Sequence, residues 1–128
     1  KTPRGLSRLA DTATVQADFA KAEATLSAAR AYLLQSLSEV YAGAGETGAI
    51  TTPERLRVRL AATHLIHGAI EVADWVYKAA GVSAIFPGTP FERRFRDMHT
   101  LSQQIQSRGS HYEAAGQVLL GLPPKNYF

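Results

Sequence analysis

The segment Thr89–Gln106 reads TPFERRFRDMHTLSQQIQ and carries the marks of a helix along its whole length. Thr89 is a suitable cap, Pro90 suits the first helical position, and Glu92 stands three residues past the cap, where a capping box wants a carboxylate. Phe91, Phe95, Met98, Leu101 and Ile105 then recur at helical spacing, which predicts one apolar face. A second face collects Glu92, Arg96, His99, Gln103 and Gln106. Such a stripe is the solvated face of an ordinary surface helix or part of a site. Surface helices favour Lys and Glu, whereas this one holds His, Gln and one Arg. The hydrogen-bonding, almost uncharged His99, Gln103 and Gln104 suit a semi-buried site.

The pattern extends outward in both directions. Upstream, Val15, Phe19, Ala22, Leu26, Ala29, Leu33, Leu37 and Val40 step by three or four residues and predict a long amphipathic helix from Asp11 or Thr12. Ala17, Ala20, Ala24, Ala28 and Ala31 add helix propensity and predict close helix–helix approach. Gly43–Gly48 is expected to end it. A second helix is expected from Thr52-Pro53 to about Ala80, with Gly81 closing it in the left-handed conformation. Its second half, LIHGAIEVADWVYKAA, is apolar on most sides, which predicts burial on more than one face. Pro87-Gly88 marks a turn before Thr89. Downstream, Ser110 with Glu113 offers a capping box for a last short helix, stopped at Gly121 and Pro123-Pro124. The basic opening, Lys1–Ala10, reads as a lead-in loop. No strand pattern or repeat interrupts this, so the fold class is all-α, an antiparallel up-down helical bundle forming one domain over residues 1–128.

Composition narrows the function classes. Of 128 residues, 45% are hydrophobic and 20% charged, as in a globular protein. The net charge of +3 is scattered, without a basic stripe interleaved with aromatics, so nucleic-acid binding has no support. The absence of cysteine excludes disulfides, thiolate chemistry and zinc–thiolate sites, and fits a cytoplasmic setting. No apolar run reaches the roughly 20 residues of a membrane helix. His64 and His67 are three apart but lack a carboxylate at ligand spacing, so both read as packed or partly exposed histidines and no metal site is expected.

The run VYKAAGVSAIFPGTPFERRFRDMH, Val76–His99, resembles the C-terminal helical domain of the acyl-CoA dehydrogenase superfamily. There a buried helix ends in a glycine-bearing turn, and a connector leads to an Arg-Asp pair, here Gly81 and Arg96-Asp97. KTPRGLSRLADTATVQADFAKAEA resembles the loop and second helix of that bundle, so its first helix and the family's upstream domains are expected to be missing from this chain. GQVLLGLPP resembles the branch of flavin-dependent hydroxylases and other monooxygenases. The resemblance implies a parent flavoenzyme using FAD or FMN, a dimer or tetramer, and a possible flavin reductase as partner. It implies that Gly81 approaches the flavin of a neighbouring subunit, although this chain continues with Val82, Ser83 and Ala84 where dehydrogenases have further glycines. Dehydrogenases commonly place a catalytic Glu eight residues after the Asp, which here is Ile105. Isoleucine cannot abstract a proton, so α,β-dehydrogenation of an acyl thioester, with a base supplied from upstream, is the second enzymatic reading. The monooxygenase branch often has a His seven residues after the Asp, and that position is Gln104. Gln104 and His99 are therefore the expected catalytic residues, Gln103 a substrate-binding one, and Arg96 and Asp97 structural residues, in a bundle ion pair or a helix-end contact. A helical oligomerisation module without chemistry is the third reading, and the isolated chain is expected to be inactive.

Overall fold

A computed structural model describes residues 8–125, and the reading of Lys1–Ala10 lies mostly outside them. Four α-helices carry the fold: α1 (Ala13–Thr47), α2 (Thr52–Ala80), α3 (Pro90–Leu101) and α4 (Ser110–Leu119). No strand occurs among the described residues, as the sequence predicts. At 35 and 29 residues, α1 and α2 span about 52 and 44 Å at 1.5 Å per residue.

These two helices form an antiparallel hairpin, and the side-chain partners show its register. Phe19 meets Trp75, Thr25 meets Gly68, Tyr32 meets His64 and Glu39 meets Arg57. One number rises as the other falls. The return pass, α3 to α4, runs back along another side of α2: Phe95 stacks on Tyr77, His99 bonds Asp74, and Tyr112 meets His67 edge-on. Thus α2 lies in the middle, with α1 on one flank and α3 and α4 on another. This accounts for the all-round apolarity of LIHGAIEVADWVYKAA.

Helix ends differ from the expected ones by residues that have physical reasons. Helix α1 continues through Gly43 and Gly45 and stops at Gly48, which takes the left-handed conformation. The cap of α2 is Thr51 rather than Thr52. Thr51 Oγ1 accepts from the Glu54 amide while the Glu54 carboxylate accepts from the Thr51 amide at 2.7 Å, a complete capping box. Neither expected box at Thr89 or Ser110 forms. The Thr89 hydroxyl instead donates to the carbonyls of Ser83 and Phe86, bracing the connector.

The core is small. Leu56, Ala114 and Ala115 are buried together with Leu60 and Val118 packed against them, and Ala29, Val40, Ala61 and Ala84 are buried elsewhere. Burial of Leu56 contributes roughly 2 kcal/mol, and the alanines contribute less each. The alanines expected to line the helix contact, Ala17, Ala20, Ala24, Ala28 and Ala31, face solvent; Ala29 is the one buried in α1.

Candidate functional site

The largest departure from the sequence reading falls at Leu101. Helix α3 ends there, residues 102–104 turn, and Ile105–Ser107 form a 3-10 turn. The polar stripe is therefore cut. Glu92, Arg96 and His99 remain on α3, whereas Gln103 and Gln106 leave its face. Gln106 borders a groove between α1 and α2 instead. The apolar stripe is cut as well, and Leu101 and Ile105 are exposed.

Side chains from neighbouring helices hold the 3-10 turn in place. Three consecutive carbonyls are taken: His111 Nε2 lies 2.5 Å from Ile105 O, Thr63 Oγ1 donates to Gln106 O at 2.8 Å, and His67 Nε2 lies 2.8 Å from Ser107 O. A carbonyl only accepts, so both imidazoles carry the proton on Nε2. Ser107 Oγ donates to the carbonyls of Ser102 and Gln104. Thr63, Ser107 and His111 are buried, and every buried side-chain polar atom among the described residues has a partner. Tyr112 closes the cluster, and burial, assisted by the charge of Glu71, pushes its phenol above its ordinary pKa. The network fixes Gln103, Gln104 and Ile105 on an exposed, rigid ledge. Sequence spacing did not reveal it, because the donors come from α2 and α4 and the acceptors are backbone atoms.

His99 stands one step before the ledge. Its Nε2 is 2.8 Å from Asp74 Oδ1 across the α2–α3 interface, its ring lies 4.4 Å from that of Phe95, and Phe95 lies 4.4 Å from Tyr77. Asp74 is the functional candidate that sequence reading missed: it sits 25 residues from His99 and looks like one polar residue in an apolar helix. Arg96 and Asp97 do not pair with each other or bridge the bundle. Arg96 lies 3.6 Å from Glu92 and Arg93 3.6 Å from Asp97, both within α3 and exposed, because adjacent helical residues diverge by about 100°. His64 and His67 are separate, the first edge-on to Tyr32 and the second on Ser107, and no metal-binding cluster is present among the described residues.

Gly81 ends α2 with φ 57° and ψ −139°, not the left-handed pair expected. Positive φ still calls for glycine. A Cβ there would meet nothing within 4 Å, so the requirement is conformational and not a tight approach within this chain. Gly81 presents an open backbone surface, and the Gln103 and Gln104 amides are hydrogen-bonding groups on the exposed ledge.

An antiparallel helical bundle with a glycine turn, a short arginine-rich helix and a braced ledge is the class of domain that these elements define. The sequence matches the family model described as acyl-CoA dehydrogenase, C-terminal domain, over residues 3–108. The chain belongs to this family. It is similar to the indole-3-acetate monooxygenase of Pseudomonas putida, with 29% identity over 120 residues, and to that of Acinetobacter baumannii, with 28% over 120. Each alignment covers 94% of this chain and 31% of the relative, so the chain spans about a third of the length of the curated relatives it matches. No helix among the described residues is long and apolar enough to cross a membrane.

Proposed function

We propose that this chain is the C-terminal helical domain of a flavin-dependent monooxygenase that acts on a small aromatic substrate. The observation that carries the reading is the alignment of both monooxygenases with 94% of the chain; the family resemblance, which puts Ile105 where dehydrogenases commonly hold a carboxylate, agrees with it. A side chain without a titratable group cannot take a proton from a carbon beside a thioester. In the parent enzyme, FAD or FMN supplies the redox chemistry when bound, delivered in reduced form by a flavin reductase. This chain contributes Gly81 at one edge of the flavin, and Gln103, Gln104 and His99 on the substrate side. The Gln104 amide donates or accepts hydrogen bonds without changing charge, which suits it to orienting a ligand. His99 is the titratable member of the set. Alone, the chain is inactive, since its own residues offer a flavin one edge and no enclosure. The parent assembles as a dimer or tetramer and works in the cytoplasm.

The test uses the full-length parent with reduced flavin, oxygen and indole-3-acetate or a related aryl acid. Incorporation of labelled oxygen into product supports the proposal. Reduction of an artificial electron acceptor by an acyl-CoA, without oxygen incorporation, would favour the dehydrogenase reading and sink this one.

A further inference from the structure

We infer that Asp74 is a positioning residue, which locks His99 in the Nε2–H tautomer and so presents Nδ1 as an acceptor to a ligand O–H or N–H. The ligand-facing half of this rests on His99 being a site residue, as proposed above; the tautomer does not.

The geometry supplies the argument. An ionised carboxylate only accepts hydrogen bonds, so the 2.8 Å contact between Asp74 Oδ1 and His99 Nε2 requires the proton on Nε2. In a neutral ring the lone pair then resides on Nδ1. That atom has no protein partner among the described residues, and it is not among buried unpaired atoms, of which there are none, so it reaches solvent. The ring cannot swing freely, because Phe95 packs on it and Tyr77 packs on Phe95. The other histidines with a hydrogen bond, His67 and His111, use Nε2 on backbone carbonyls. Among the described residues, His99 is the one whose ring faces a carboxylate. If a ligand O–H or N–H yields its proton to Nδ1, the N–H bond formed replaces the O–H or N–H bond broken. The ring becomes a cation with Asp74 beside it, the ligand keeps the electron pair, and no oxidant or reductant takes part. A phenol or an indole ring carries such a group.

The first measurement is a long-range proton–nitrogen NMR correlation of the imidazoles in the chain as it stands, at pH 8.5, far above the ordinary histidine pKa of about 6.5. Nε2–H with a bare Nδ1 at His99, giving way to a mixture of tautomers in Asp74→Ala, is the expected result. A proton on Nδ1 in the unmodified chain, whether as the other tautomer or as a charged ring, overturns the inference without need of a variant. The second measurement is a double-mutant cycle on turnover in the parent. Asp74→Ala should lower kcat about tenfold when His99 is present and cause no further loss beside His99→Ala. Multiplicative losses would mean that Asp74 acts independently of His99. Unaltered turnover in His99→Ala, with the tautomer still locked, would remove the ligand role and trace the fault to His99 itself.

Discussion

At the scale of single residues, His99 and Gln104 are held in different ways, and different losses follow. His99 is fixed through its side chain by Asp74 and Phe95. Gln104 is fixed through its backbone, since its carbonyl accepts from the amide and hydroxyl of Ser107. Replacing Gln104 with Ala removes a functional group and leaves its support intact. In the parent, Gln104→Ala should lower turnover tenfold or more, about 1.4 kcal/mol of barrier, with flavin content and melting temperature unchanged. Steady-state kinetics beside a flavin absorbance spectrum checks this, and turnover at the parent level would reduce the ledge to a packing feature. A second residue-scale case is the α2 cap. The Thr51 hydroxyl, and then its amide, hold the Glu54 carboxyl below its ordinary range. Folding thus favours the ionised form, so the stabilisation is full above the ordinary carboxylate pKa and is lost as pH falls through the lowered value. Thr51→Ala should cost about 1 kcal/mol near neutrality. Glu54→Gln should be less stable than the parent chain at pH 7, and the difference should shrink as pH falls below the ordinary carboxylate range, as denaturant titrations across that range would show.

Among the elements, the 3-10 turn at Ile105–Ser107 is the most informative, because it stands where periodicity predicts continuous helix. Phe91, Phe95 and Met98 keep their helical spacing and are partly buried, but Leu101 and Ile105 continue the same numerical pattern while exposed. Spacing alone cannot see that Thr63, His67 and His111 claim three carbonyls from outside the segment. By contrast, the end of α2 at Ala80 and the middle position of α2 were legible, since Gly81 and an apolar surface on most sides are local signals. The candidate site divides the same way. His99 and Gln104 could be singled out from one segment, whereas Asp74 could not, being a partner set by the packing of α2 against α3. Thr63 tests the role of the turn. It is fully buried, and Thr63→Val keeps its shape while leaving the Gln106 carbonyl without a donor. The expected loss is about 1–3 kcal/mol, and amide exchange should quicken in residues 102–107 ahead of α1. Equal protection throughout would mean that the turn is held by something other than these bonds.

For the whole molecule, the distribution of apolar surface matters most. The largest fully buried side chains are Thr63 and Ser36, while Phe19, Leu34, Tyr41, Val82, Leu119 and Leu120 are each more than half exposed. Two adjoining concavities of about 440 and 460 Å³ share Leu37, Val40 and Ile50 along the α1–α2 hairpin. Monomers seldom leave so much apolar surface in water. Light scattering at micromolar concentration should therefore give a mass above the 13.8 kDa of one chain, and a clean monomer would oppose this. The middle position of α2 has one more consequence, which concerns the order of synthesis. As the chain leaves a ribosome, α1 and α2 can zip together once Ala80 is clear, yet the other flank of α2 is covered only in stages, first by α3 and in full when Leu119 has followed. During that interval the nascent hairpin displays to the cell a face of α2 that the finished fold covers.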